Sequence, residues 1–260
     1  MNVKRIWLVS LLIFLMSSIH QEAASMTSLK LLRGFQAPTA IAFDSKENMY
    51  VANWSNGTIE KIDVYGERSV FVSIPGSPAG LACDKDDFIY VSDYQDSIYK
   101  VSPNGKVSRY IKGLQTPTGI FLNKQGELLI ANRSSNEIVR ALPNATIQSV
   151  VKNLQIPVGV VEDQDGTIYV TNYGGGITII SSNQKIRTIS DFEQPGCGIV
   201  IAKGKVLAVD NGAGMVRRID IKTLTSTPVA QGLKSPVALG GKPDGTIFVG
   251  TWGDGVVRQL

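Results

Sequence analysis

Histidine is nearly absent from this 260-residue chain, since the single copy is His20. His20 lies in an N-terminal segment that we expect to be removed from the mature protein. The mature chain then has no imidazole to serve as a general base or as a metal ligand. Nucleophiles of the Ser-His or Cys-His kind are excluded for the same reason.

Positive charge is spread thinly along the sequence. Lys and Arg together number 26 against 22 for Asp and Glu, which gives a formal net charge of +4. The basic residues form no run, whereas a nucleic-acid footprint needs clustered positive charge. We therefore expect no nucleic-acid partner.

A long apolar run occurs only at the N-terminus. Residues 6–16 are almost all apolar, they follow Lys4 and Arg5, and Ala23 and Ser25 supply small residues for cleavage after Ser25. The run is too short to cross a bilayer easily. The sequence predicts a signal peptide at 1–25 and a mature domain at 26–260, secreted or periplasmic, with no stable membrane insertion after cleavage.

A repeat of about forty residues fills the mature chain. Its marker is a proline that recurs with spacings of 40, 39, 40, 38 and 41, at Pro38, Pro78, Pro117, Pro157, Pro195 and Pro236. Each proline opens the same phrase, such as PTAIAFD at 38–44 and PAGLACD at 78–84. The fifth copy is shifted by one residue around Gly196–Ile199. A fixed period across a whole chain indicates a repeat architecture and overrides a two-domain interpretation.

Each repeat reads as four short strands with no helical periodicity. Four antiparallel strands make one blade of a propeller, and six blades close a ring. The last repeat ends after its third strand, Val256–Leu260, while Ser28–Leu32 reads as a fourth strand without a blade. The sequence thus predicts an all-β, six-bladed β-propeller whose N-terminal strand completes the last blade and removes an exposed edge.

The repeat resembles the NHL repeat, on phrases such as IYVSDYQDSI at 89–98. The six-fold count is similar to that of the gluconolactonase and strictosidine-synthase-like propellers. The resemblance covers essentially all of the mature chain. It implies a propeller fold, and it implies function only weakly because propellers host many unrelated activities. Amidating-lyase and streptogramin-lyase propellers resemble this fold but rely on histidine, so they are disfavoured as functional models.

The two cysteines fall in different blades of the predicted ring. Cys83 is placed in blade 2 and Cys197 in blade 5, on nearly opposite sides. A disulfide needs Cα atoms within about 7 Å, so we predict two free thiols.

The second strand of each blade is expected to end at one mouth of the central channel. The residues just after those strands are rich in aromatic side chains and are predicted to bind a ligand: Trp54, Tyr94, Arg133, Tyr173 and Trp252. Trp and Tyr give flat, amphipathic contact at low entropic cost, and a guanidinium can stack or bind a carboxylate. The alternative is that the aromatic rings merely cover neighbouring loops.

The gluconolactonase resemblance implies a divalent metal in the central channel, held by a Glu with Asn and Asp. In this chain Glu193, Asp210 and Asn172 stand at matching positions, but Gln36 replaces the acid of the first repeat. A hard cation such as Ca²⁺ prefers about six or more oxygen ligands with several carboxylates. The site therefore looks depleted, and we expect no cofactor, with Ca²⁺ or another divalent cation as the alternative.

Three functions follow from these observations. The first is a secreted propeller that binds a small molecule, glycan or peptide on its aromatic face, without enzymatic activity. The second is a metal-dependent hydrolase of lactones or esters, of the gluconolactonase type. The third is a structural scaffold that uses its blade edges for protein interaction.

Overall fold

The computed structural model describes residues 30–260 and contains six sheets of four antiparallel strands each. The predicted signal peptide lies outside the described residues. Across residues 30–260, no helix has the length and apolar character needed to cross a membrane.

Each blade follows chain order from the channel outward. The inner strands all begin at the repeated proline: β2 (Pro38–Phe43), β6 (Pro78–Cys83), β10 (Pro117–Leu122), β14 (Pro157–Glu162), β18 (Pro195–Ala202) and β22 (Pro236–Gly241). The second strands are β3 (Met49–Asn53), β7 (Ile89–Asp93), β11 (Leu128–Asn132), β15 (Ile168–Asn172), β19 (Lys205–Asp210) and β23 (Ile247–Thr251).

The outer half of each blade carries the third and fourth strands. The third strands are β4 (Thr58–Ile62), β8 (Ser97–Val101), β12 (Glu137–Ala141), β16 (Ile177–Ile180), β20 (Met215–Asp220) and β24 (Val256–Gln259). The fourth strands are β5 (Arg68–Ser73), β9 (Val107–Lys112), β13 (Ile147–Val151), β17 (Ile186–Ile189), β21 (Thr225–Ala230) and, for the sixth blade, β1 (Leu31–Arg33).

The predicted closure of the ring is confirmed. Strand β1 pairs antiparallel with β24, with Leu32 opposite Val257, so the two ends of the described chain share one sheet. The all-strand expectation holds except for one 3₁₀ turn at Arg133–Ser135, which follows β11.

The hydrophobic core is divided among the six interfaces between neighbouring blades. One cluster, for example, joins Tyr50 and Ile59 of blade 1 to Leu81 and Val91 of blade 2. The second strands of five blades are buried along their whole length, because both of their faces pack against adjacent blades. This explains why those strands read as continuous β-branched and aromatic runs rather than as alternating ones.

Inner strands of neighbouring blades approach closely around the channel. A Cβ atom at Gly119 would lie 2.6 Å from the carbonyl oxygen of Val158 in the next blade, so only glycine fits there. Hydroxyl groups bond across the same junctions: Thr39 Oγ1 donates to the carbonyl of Pro78 at 2.7 Å. The ring is therefore tight at the end where the inner strands begin.

The shift predicted in the fifth repeat is also present. In blade 1 the register moves between Pro38, opposite Asn53, and Ala40, opposite Ala52. In blade 5 it moves between Pro195, opposite Asp210, and Ile199, opposite Ala208, which accommodates one more residue in the bulge.

Candidate functional site

The start of each inner strand and the end of the second strand meet at one face of the ring. The register pairs them directly, as in Pro38 with Asn53 and Pro117 with Asn132. We call this the rim face. We use the word rim for the residues that follow the second strands there: Trp54, Tyr94, Arg133, Tyr173, Asn211 and Trp252.

A buried polar layer lies beneath the rim. Asn53 Oδ1 accepts the main-chain N–H of Gln36 at 2.9 Å, and Asn132 Oδ1 accepts that of Gln115 at 2.6 Å. Asp93 Oδ1 accepts the N–H of Ser77, one residue closer to the proline, at 3.2 Å. Burial raises the pKa of Asp93, and its main-chain hydrogen bonds act in the opposite direction. In these three blades the side chains fix the loop that precedes the proline, so their role is structural.

The five side chains predicted to bind a ligand form one line of contacts around the mouth. The rings of Trp252 and Trp54 are 6.0 Å apart, and those of Trp54 and Tyr94 are 4.5 Å apart in an edge-on arrangement. Arg133 Nη1 donates to the Tyr94 hydroxyl at 2.9 Å. The Arg133 guanidinium also lies 5.8 Å from the ring centre of Tyr173.

The members of this line differ in exposure. Tyr173 and Trp252, at its two ends, are each 41% exposed, whereas the three central residues are half-buried. Trp252 is held in place because its Nε1 donates to the carbonyl of Pro38 at 3.1 Å. The rim is therefore a fixed surface with two exposed aromatic ends.

The central cavity extends away from the rim. It has a volume of about 1000 Å³, begins beside Thr39, Ala79 and Cys197, and reaches Asn123 and Lys242 at the other face of the ring. No rim side chain lines it. A rim ligand would thus sit on the surface above the narrow end of the cavity.

The far mouth of the cavity carries an ion cluster that the sequence analysis missed. Arg140 donates to Glu127 at 2.7 Å and to Glu162 at 2.6 Å, and Asn123 Nδ2 donates to both carboxylates at 2.9 Å. Glu162 ends its inner strand where blades 1 to 3 have Phe43, Cys83 and Leu122. An acidic residue at a position that is apolar in blades 1 to 3 was the feature of the sequence that could have indicated this cluster. We call this face the opposite mouth.

The predicted metal ligands do not form a suitable set. Asp210 is fully buried, accepts from Arg217 Nε at 2.8 Å and also accepts the main-chain N–H groups of Glu193 and Gln194. The Glu193 side chain is exposed. Asn172 donates through Nδ2 to Thr178 Oγ1 at 2.9 Å, and its buried Oδ1 has no partner. Within residues 30–260, no three His, Cys, Asp or Glu side chains are grouped to hold a metal.

Both cysteines are free thiols, as predicted. Cys197 lies near the rim end of the cavity and Cys83 toward the opposite mouth. Burial raises the pKa of the Cys197 thiol to about 11, and the positive charge of Arg133 acts against this rise. Burial, followed by the carboxylates of Asp87 and Asp44, raises the pKa of Cys83 to about 12.

Solved structures share this fold at low sequence identity. A gluconolactonase from Xanthomonas campestris superimposes with a TM-score of 0.78 at 13% identity, covering 88% of each chain. A catalytically inactive virginiamycin B lyase from Staphylococcus aureus, solved with quinupristin, gives 0.67 at 17% identity and covers 88% of this chain and 82% of its own. A chain of a nidogen/laminin complex gives 0.70 at 20% identity, covering 79% and 85%.

These similarities establish a six-bladed propeller whose structural neighbours are gluconolactonase-like and virginiamycin B lyase propellers. No family model matches the chain, and no curated protein matches it in sequence. The resemblance to the NHL repeat therefore rests on the repeated phrases alone.

Proposed function

We propose that this protein is an exported binding module that recognises a small molecule, glycan or peptide on its rim face. The observation that carries the proposal is the unbroken line of contacts from Trp252 through Trp54, Tyr94 and Arg133 to Tyr173. Aromatic side chains held in fixed positions contribute binding area at little entropic cost. N-terminal sequencing of the exported protein tests cleavage after Ser25.

A neighbour in a nidogen/laminin complex supports a role in binding, because that propeller chain is part of a protein complex. A lyase or hydrolase is the second candidate, favoured by the similarity to the gluconolactonase. Two features weigh against it. The inactive virginiamycin B lyase is a histidine-to-alanine form, whereas His20 is the only histidine of this chain and lies in the predicted signal peptide. In addition, Arg217 neutralises Asp210, the best candidate for a metal ligand.

The test is a ligand screen on the purified mature protein, using panels of neutral and acidic saccharides, short peptides and lactones. Thermal shift and tryptophan fluorescence report binding, and product analysis reports turnover. Tyr173→Ala removes an exposed ring and is expected to weaken binding at least tenfold, with the free energy of unfolding changed by less than about 0.5 kcal/mol.

The matched control is Tyr65→Ala. Tyr65 is 73% exposed and lies in the turn between β4 and β5, at the opposite face of the ring. Turnover of a lactone would favour an enzymatic function over a binding function. If the Tyr173 variant, the Tyr65 variant and the unmodified protein bind a ligand equally well, the rim is not the binding surface.

A further inference from the structure

Within residues 30–260, two half-buried arginines have no acidic partner, Arg133 and Arg187, and Arg187 donates instead to the main-chain carbonyl of Ile221 at 3.2 Å. Arg68, Arg140, Arg217 and Arg258 each pair with a carboxylate. Among residues 30–260, no ion pair involves Arg133. Arg133 is also the single charged member of the rim.

The Arg133 guanidinium is held by aromatic groups rather than by acids. Its centre lies 5.7 Å from the Tyr94 ring and 5.8 Å from the Tyr173 ring. A guanidinium has five N–H donors, and within the described chain only Nη1 donates, to the Tyr94 hydroxyl. Its charge also acts on the thiol of Cys197, which belongs to blade 5. The guanidinium of this blade 3 residue contacts the rings of Tyr94 on blade 2 and Tyr173 on blade 4.

Beneath the neighbouring part of the rim, on blade 4, a buried side-chain oxygen has no hydrogen-bond partner among residues 30–260. Asn172 stands where Asn53 and Asn132 accept a loop N–H, yet its buried Oδ1 has no partner. Ile156, directly before Pro157, has a φ of 59°, but Ala37, Thr116 and Ser235 adopt the same left-handed conformation before their prolines, so this conformation belongs to the repeat. The unpaired oxygen of Asn172 is therefore what distinguishes the layer beneath the rim in blade 4 from that in blades 1 and 3.

We propose that the rim ligand carries a carboxylate attached to a ring, with the carboxylate bound by Arg133 and the ring packed against Tyr173. This inference rests on the function proposed above. A planar guanidinium matches a carboxylate with two parallel hydrogen bonds. One positive charge balances a carboxylate monoanion, whereas a phosphate dianion would require a second cation. Aromatic neighbours exclude water from the pair and strengthen it.

The position of the tryptophans makes the test direct. The sequence has three, and Trp7 lies in the predicted signal peptide, so the only two in residues 30–260 are Trp54 and Trp252 on the rim. Tryptophan fluorescence of the mature protein therefore reports the rim alone. The probes are two matched pairs, phenylacetate with phenylacetamide and glucuronate with glucose, which separate aromatic acids from sugar acids.

The variants are Arg133→Gln, which removes the charge, and Arg133→Lys, which keeps it without the planar donor pair. Arg109→Gln is the matched control, because Arg109 also lies over a tyrosine ring, that of Tyr99, and bonds its hydroxyl at 3.4 Å, away from the rim. Melting temperatures verify that each variant is folded.

We expect the acid of at least one pair to bind at least tenfold more tightly than its neutral partner. Arg133→Gln abolishes that preference, Arg133→Lys reduces it and Arg109→Gln leaves it unchanged. Equal affinity for acid and neutral members, or a preference that survives in Arg133→Gln, overturns the carboxylate inference but leaves the rim as a binding face. If no probe changes the fluorescence, the carboxylate inference fails, and the ligand screen above then decides the proposed function separately.

Discussion

At the opposite mouth of the channel, cations and acids neutralise one another. Arg140 bridges Glu127 and Glu162, Lys100 pairs with Asp84, and Lys242 pairs with Glu47 at the edge of the same face. At the rim, by contrast, the charged member Arg133 has a tyrosine hydroxyl and two aromatic rings as partners. Both ends belong to the same six β-sheets, so the difference comes from the side chains placed at the turns.

The repeated sequence explains the opposite mouth. Asp44 accepts the N–H groups of the residues two and four positions later, at 3.0 and 2.8 Å. Asp84 and Asn123 do the same in the next two blades. The final Asx of the repeated phrase is thus a turn-forming residue. At the rim the corresponding positions vary from blade to blade, so repetition marks the scaffold and variation marks the candidate site.

The largest expected loss of stability comes from the buried layer beneath the rim. Asp210→Ala removes a fully buried carboxylate and leaves Arg217 and two main-chain N–H groups without their acceptor. We expect the free energy of unfolding to fall by about 3 kcal/mol, as measured by urea denaturation. Asn at this position keeps an acceptor for the N–H groups and should lose less.

This prediction separates a structural Asp210 from a metal-binding one. A structural carboxylate gives the same loss in stability with calcium and with chelator. If the unmodified protein is stabilised by calcium and Asp210→Ala abolishes only that stabilisation, the ion pair with Arg217 is not the main role of Asp210. The buried layer would then belong to a metal site.

A smaller loss is expected at the opposite mouth. Arg140→Ala leaves Glu127 and Glu162 facing each other without their shared cation, and both carboxylates are largely buried. We expect a loss of about 2 kcal/mol, less than for Asp210 because solvent screens the remaining charges. Lys85→Ala is the control, since the Lys85–Asp86 pair is exposed and should contribute nothing measurable. Equal stability of the Arg140 variant and the control would mean that the cluster is not a structural element.

The sequence predicted the fold well because the same four-stranded unit is repeated six times. The recurring proline fixed the start of every inner strand, and the unpaired strand near residue 30 indicated how the ring closes. The rim residues were found because their equivalence follows from the repeat alone. Side-chain pairing between blades was not predictable in this way. The bond from Arg140 to Glu162 joins neighbouring blades, and the link from Trp252 to Pro38 spans 214 positions.

The smallest expected difference compares the two thiols, one at each end of the cavity. Alkylation requires the thiolate, whose fraction falls tenfold for each unit by which the pKa exceeds the pH. With pKa values of about 11 for Cys197 and about 12 for Cys83, both thiols should react with iodoacetamide at pH 8 far more slowly in the native protein than in urea. Cys197 should react faster than Cys83, as measured by peptide mass spectrometry. Because the positive charge of Arg133 lowers the pKa of Cys197, Arg133→Gln should slow the alkylation of Cys197 and bring its rate closer to that of Cys83. A faster Cys83, or a Cys197 rate unaffected by Arg133→Gln, would show that access rather than charge distinguishes the two ends.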